Sequence, residues 1–290
     1  MSSQMYPEIK QQIENKSTNI KDPAERVVCV LKEEEAIKIS NEYNCTINDI
    51  YLRALNLGIY PYRYLRNREI ISIQEQIKLA RSRVAVIGAG GLGGHVILLL
   101  ARLGIGHLVV VDHDVFDESN LNRQALCSEK ALGKSKSEEA VAVVGSINQA
   151  VEVTSYQVRI NASNAEEILT GSNVAVDALD NVPDRFLLEK AVKKIGIPLV
   201  HGAVAGFEGQ LMTIFPDDQG LKQIYENKEI KGGHSKSAES VLGVPAIMPS
   251  LIATLQSMEV LKIILNRGKI FRNAMAYADM ETGQLNRYEF

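Results

Sequence analysis

Residues 83–124 read RVAVIGAGGLGGHVILLLARLGIGHLVVVDHDVFDESNLNRQ, and their pattern decides the fold. Val84 to Ile87 is a short run rich in β-branched residues, as a parallel strand buried on both faces requires. Gly88, Gly90 and Gly93 follow in G-x-G-x-x-G spacing. The first allows a tight turn, the second lets backbone approach phosphate oxygens, and the third lets a helix close on the sheet. That helix is predicted from about Gly91 to Leu103, its first N–H groups aimed at the phosphate. His107 to Asp112 is the second strand. Asp112 lies 24 positions after Gly88 (112 − 88), where an acidic side chain meets ribose hydroxyls in a nucleotide-binding βαβ unit. The glycine pattern alone also describes a tight turn with no ligand. The flanking strands and Asp112 favour a nucleotide.

The continuation is more specific. Asp112-His-Asp114-Val-Phe-Asp-Glu-Ser-Asn120-Leu-Asn-Arg123-Gln124 resembles the signature of the ThiF/MoeB/HesA family, adenylyltransferases related to ubiquitin-activating enzymes. A dehydrogenase has no need of an arginine there. An enzyme that holds a triphosphate and stabilises charge at its α-phosphorus does. The resemblance extends over about residues 60 to 290. Arg63-Tyr64-Leu-Arg66-Asn67 resembles the R-Y-x-R-Q element, with Asn67 where Gln is usual. In the family this arginine, here Arg66, reaches across a dimer to the neighbouring nucleotide. Gly133-Lys-Ser-Lys136 resembles the G-x-x-K whose lysine contacts phosphates, with Lys134 as the bland surface candidate. Asp180-Asn181 through Arg185 resembles the family's D-N-x-x-x-R. Gly206 to Gln210 matches G-x-x-G-Q, and Gln256, Glu259 and Lys262 match Q-x-x-E-x-x-K.

The resemblance implies a fold, a reaction and a set of roles. The fold is α/β, a Rossmann-like doubly wound, mostly parallel sheet with antiparallel C-terminal strands. The reaction is attack of a substrate carboxylate on the α-phosphorus of ATP, giving an acyl-adenylate and pyrophosphate. A carboxylate is already a nucleophile at neutral pH, so catalysis is positioning plus charge neutralisation. Gly88, Gly90, Gly91 and Gly93 would cradle the nucleotide, and Asp112 would take the ribose with Asp114 beside it. Asn120, Arg123 and Lys136 would hold phosphates with Gln124 nearby. Asp180, at a strand's carboxyl end, would position Mg²⁺, and Arg66 would act from the other subunit of a homodimer. Asn181 would touch the nucleotide or cap the next helix.

Two family features are missing. After Phe215 there is no cysteine, so the two C-x-x-C pairs that bind Zn²⁺ in many members are absent and no structural zinc is expected. The stretch Ser240-Val-Leu-Gly243-Val244 lacks the cysteine that takes the acyl group in other members. The adenylate is therefore expected to pass to a separate acceptor. The substrate reading favoured is the C-terminal Gly-Gly of a ubiquitin-like sulfur-carrier protein of molybdopterin or thiamin type synthesis. A small carboxylic acid, a peptide or a modified tRNA base stays open, and a NAD-binding oxidoreductase is a distant alternative that Arg123, Lys136 and Asp180 disfavour. A nonenzymatic nucleotide sensor is a further one.

Composition sets the outer bounds. The 290 residues carry 46% hydrophobic and 23% charged residues with a net charge of −3. That balance weighs against non-specific binding to nucleic acid or to an anionic membrane. The polar start and the lack of a 20-residue apolar run predict a cytoplasmic protein with no membrane span. Cys29, Cys45 and Cys127 form no C-x-x-C and fit a reducing compartment. Residues 1–60 are expected to be a helical appendage to a catalytic domain over 61–290. Helices are predicted over Glu33–Tyr43 and Ile47–Leu57, with Thr46 and Asn48 as N-caps. Two helices so spaced can mimic a helix-turn-helix, but Arg53 is the main basic residue in the second, which disfavours DNA contact.

Overall fold

A computed structural model describes residues 5–225 and 238–290. The chain opens with α1 (Met5–Lys16), a hairpin of β1 (Thr18–Lys21) and β2 (Val27–Leu31), then α2 (Glu33–Tyr43), α3 (Ile47–Asn56), β3 (Tyr60–Pro61) and α4 (Ile73–Arg81). The expected pair of helices is present, but this region is not purely helical. β1, β2 and β3 form their own sheet. Ile9, Ile13, Leu31, Ile39, Ile50 and Tyr64 gather in a small core of their own. Thr46 caps α3 in a reciprocal box with Asp49. Asn48 is not a cap; its amide donates to the Ala80 carbonyl at 2.9 Å.

The large sheet is built from β4 (Arg83–Ile87), β5 (His107–Val111), β6 (Glu152–Tyr156), β7 (Val174–Asp177), β8 (Leu199–Ala205), β9 (Glu208–Ile214), β10 (Ala274–Asp279) and β11 (Gln284–Glu289). Its order is β11-β10-β9-β8-β7-β4-β5-β6. β4 to β8 run parallel, and β9, β10 and β11 close one side antiparallel. Helices α5 (Gly91–Leu103), α6 (Lys136–Ile147), α7 (Ala165–Leu169) and α8 (Val182–Ile195) connect the parallel strands. After β9 come α9 (Lys222–Tyr225), α10 (Ala238–Leu242) and α11 (Ile247–Leu265). The polar stretch Pro216 to Ser240, rich in Lys, Glu and Ser, reads in sequence as a long surface loop; its ends carry the short helices α9 and α10, and Gly232 and Gly233 lie outside the described residues.

Strand alternation sorts the core into two layers. Val84, Val86, Leu108 and Val110 face one layer with Leu100 of α5 and Val144 of α6. Ala85, Ile87, Val109 and Val111 face the other with Ile168 of α7 and Leu188 of α8. Ile87 is level with Val111 on one side and Asp177 on the other. The carboxyl ends of β4, β5 and β7 therefore finish together, at the point where the strand order reverses. Open α/β sheets bind ligands in such crevices.

Helix α11 is, among the described residues, the one helix long and apolar enough to cross a membrane. It packs against α5, β8 and β9 with most of one face buried, the arrangement of a core helix. The Gln-Glu-Lys spacing on it now has a structural reason. Gln256 Nε2 donates to the carbonyls of Asp177 and Val200, locking α11 under the sheet. Glu259 accepts from Thr213 Oγ1 at 2.7 Å and from the Phe271 N–H at 2.8 Å, and pairs with Lys262. A buried acid so engaged leaves three partners behind when removed. Glu259→Ala is expected to lower the unfolding free energy by about 2–4 kcal/mol, read from the urea midpoint at unchanged slope.

Candidate active site

The glycine turn starts from a clearance that only glycine permits. Gly88 has φ +97°, and a Cβ on it would meet the Ala178 carbonyl oxygen at 2.5 Å. A Cβ on Gly93 would sit 1.7 Å from the Gly88 carbonyl oxygen, so the first turn of α5 lies directly on the loop leaving β4. Asp112, just past β5, accepts the Ala89 N–H at 2.7 Å and the Asp114 N–H at 2.9 Å. It braces the turn, and a carboxylate keeps lone pairs for hydroxyls after two such bonds.

These loops open on a cleft of about 740 Å³ at the carboxyl ends of β4 to β7. Gly88, Gly90 and Gly91 line one wall and Asp112, Asp114, Arg123, Gln124 and Lys136 another. Gly93 supports the turn from behind. Lys136 opens α6, capped by Ser135. Its ammonium is almost fully buried and lies 3.0 Å from Asp114 Oδ2, whereas Lys134 pairs with Glu139 at the surface. Arg123 Nη1 donates to the Ser119 carbonyl at 3.0 Å and to Asn122 Oδ1 at 2.8 Å. Gln124 is buried, and its Oε1 has no hydrogen-bond partner among the described residues.

Asp180 and Asn181 enter from the end of β7. Asn181 caps α8 by accepting the Asp184 N–H at 2.9 Å. Asp180 is exposed, and one oxygen takes a 3.3 Å bond from Asn181 Nδ2. Two expected residues lie elsewhere. Asn120 is buried beneath the loop, where its Oδ1 accepts the Asp117 N–H at 3.1 Å, and it is not part of the cleft wall. A short polar side chain this close to its own backbone was drawn into a turn. Arg66 is exposed on the 3₁₀ turn Tyr62–Asn67, away from this cleft. The turn itself is pinned: Arg63 donates to the Ile147 carbonyl and pairs with Glu33, and Asn148 donates to the Tyr64 hydroxyl.

Other cleft residues carry no motif. Arg159 follows β6 and is held by Asp184 at 2.9 Å. Glu239 of α10 also lines the cleft. The signal for Arg159 was positional: it follows a parallel strand at the end where ligands bind. Below the floor lies a buried polar cluster. His201 sits 2.7 Å from Asp177 through Nδ1 and 3.3 Å from the Tyr225 hydroxyl through Nε2. Burial pushes the imidazole pKa down. The Tyr225 hydroxyl accepts from Arg185 Nη1 and Gln210 Nε2, so its own proton goes to Nε2. The neutral ring thus carries its proton on Nδ1, facing Asp177.

Burial pushes the Glu239 carboxyl up to about 7, against the opposing pull of Arg185 at 3.5 Å. The folded state therefore holds this proton more tightly than the unfolded chain. The stability it contributes is full below pH 4.5 and is lost as pH rises through about 7. Relative to Glu239→Gln, the natural protein should lose stability across that window and track it above. Chemical denaturation of both at several pH values measures the difference.

Comparison with known proteins agrees with this geometry. The model of the ThiF family matches residues 64–290. The SAMP-activating enzyme E1 of Haloferax volcanii is 38% identical over 219 residues, 75% of this chain and 80% of the relative. The sulfur carrier protein adenylyltransferase of Thermus thermophilus is 36% identical over 200 residues, 67% of this chain and 73% of the relative. The adenylyltransferase and sulfurtransferase MOCS3 of Arabidopsis thaliana is 34% identical over 90% of this chain, which spans 57% of that relative. Among solved structures, E. coli MccB with ATP superposes with a TM-score of 0.69 at 20% identity, covering 89% of this chain and 79% of MccB. The chain belongs to the ThiF family and is an adenylyltransferase of its E1-like kind.

Proposed function

We propose that the protein activates the C-terminal carboxylate of a ubiquitin-like sulfur-carrier protein by adenylation with ATP. The observation that carries this reading is the convergence on one cleft of the glycine turn, Arg123, Lys136 and Asp180, which lie far apart in sequence. The similarity to a SAMP-activating enzyme of Haloferax and to a sulfur carrier protein adenylyltransferase of Thermus supports the substrate class. The residues fit ATP. The turn built from Gly88 and Gly93 leaves backbone facing the cleft, the orphaned Gln124 Oε1 can accept a hydrogen bond, and two cations stand opposite.

In this reading the α5 N-terminus and Gly88 to Gly91 hold phosphate oxygens. Asp112 takes ribose hydroxyls. Lys136 and Arg123 offset the charge that builds at the α-phosphorus as the carboxylate oxygen bonds to it and pyrophosphate leaves. Asp180, an exposed carboxylate with a free oxygen at the strand's end, fits a Mg²⁺ ligand, and the ion would neutralise departing phosphate charge. No thiol lines the cleft among the described residues, so the adenylate passes to another molecule. Arg66, exposed and outside its own cleft, serves the cleft of a second copy in a homodimer. Of the N-terminal appendage expected over residues 1–60, the described residues 5–60 steady the turn carrying Arg66, through Glu33 and the core around Tyr64.

ATP–pyrophosphate exchange tests the substrate. Exchange is expected with a carrier ending in Gly-Gly and not with the same carrier lacking that tail; tail-independent exchange would move the substrate to another carboxylate. Arg123→Ala and Asp180→Ala should each slow exchange by more than about 10²-fold, and near-normal rates would remove those roles. For Arg66, mixing the inactive Arg66→Ala and Asp180→Ala proteins should restore partial activity, because a mixed dimer holds one intact cleft. A mixture as inactive as its parts would remove the shared-site reading.

A further inference from the structure

The turn that carries Asp180 is held on both sides of that residue, on one side by an arginine not assigned to the reaction above. Arg185, on α8, is 4% exposed. Its Nε and Nη2 both donate to the Leu179 carbonyl, at 3.2 and 2.6 Å. Leu179 is the residue just before Asp180, and its own N–H donates to Asp177 Oδ1 at 3.0 Å. On the far side Asn181 is fixed as the cap of α8. Asp180, left exposed, is thereby presented to the cleft from a turn with little freedom.

The third guanidinium nitrogen, Nη1, donates to the Tyr225 hydroxyl at 2.7 Å. Tyr225 is held in turn by Gln210 and His201, and His201 by Asp177. Asp177 Oδ2 faces Arg185 Nε at 4.0 Å and Glu239 faces Nη2 at 3.5 Å. A charge buried this deeply is costly unless paired and hydrogen-bonded. A neutral amide could hold one carbonyl more cheaply. A guanidinium fork holds the Leu179 carbonyl twice and the tyrosine once in a single plane, which fixes direction as well as distance.

We propose that Arg185 is the positioning residue for Asp180: through the Leu179 carbonyl it sets where the Asp180 carboxylate meets the metal of a bound metal–nucleotide. The inference rests on the reading of Asp180 as the metal-binding residue. It acts on that residue's placement, as outer partners of metal ligands do, whose loss costs about 10–100-fold in metal affinity.

Titration calorimetry with a non-hydrolysable ATP analogue, with and without Mg²⁺, separates the possibilities. In the natural protein Mg²⁺ should strengthen binding, and Asp180→Ala should lose that gain. Arg185→Met should lose about tenfold of the gain or more, with metal-free binding within about threefold of normal. Arg185→Lys should recover part of it, and Tyr225→Phe should lose a smaller part. If Arg185→Met does not fold, Arg185→Lys carries the test, since a lysine cannot reproduce the fork and should still lose several-fold. If Asp180→Ala loses the gain while the Arg185 variants keep it in full, the arginine is structural only and the positioning role is wrong. If Asp180→Ala keeps the gain, the metal reading itself is wrong and this proposal falls with it.

Discussion

Everything in this molecule depends on how closely α5 approaches the end of β4. The helix starts where its third residue lies against the carbonyl oxygen of Gly88, at a spacing that admits no side-chain carbon. That contact fixes the direction of α5, whose first-turn N–H groups have no partner within the helix. Asp112 secures it from β5 through the Ala89 N–H. With those three strand ends level, the loops after β5, β6 and β7 have one place to converge.

The charges then follow a consistent scheme. Each cation that lines the cleft among the described residues is already tethered: Lys136 by Asp114, Arg159 by Asp184, Arg123 by the Ser119 carbonyl. Tethering costs some attraction for a ligand, yet it removes the entropy of ordering long side chains when the anion arrives. The reaction joins two anions, so pre-placed positive charge is worth more than a mobile general base. Below the floor, the neutral His201 and the Tyr225 hydroxyl give Arg185 and Asp177 a satisfied network instead of stranded charge.

Much of this was legible in the sequence where local signals agree. The βαβ unit of residues 83–112 stands where hydrophobic period and glycine spacing put it, and the C-terminal strands are antiparallel as expected. Helix α4 begins at Ile73 because Ser72 and Glu75 form a capping box that ends the loop there. The N-terminal strands were harder to read. β1 is Thr-Asn-Ile-Lys, mostly exposed, and pairs only with a five-residue neighbour. Asp112 was placed by its offset from the glycine turn, and Arg123, Gln124, Lys136 and Asp180 by the resemblance; all five line the cleft. Glu239 was not readable, because only the assembled fold brings α10 to the cleft. Asn120 shows the opposite case, a motif residue whose side chain the fold spends on its own loop.

The central claim is that a carboxylate oxygen attacks the α-phosphorus in this cleft. The direct measurement is oxygen transfer. A carrier labelled with ¹⁸O in its terminal carboxylate is turned over with ATP and a nucleophilic acceptor, and the released AMP and pyrophosphate are weighed by mass spectrometry. The account predicts one ¹⁸O in AMP and none in pyrophosphate. Label in pyrophosphate or its phosphate products, or AMP free of label, would contradict it.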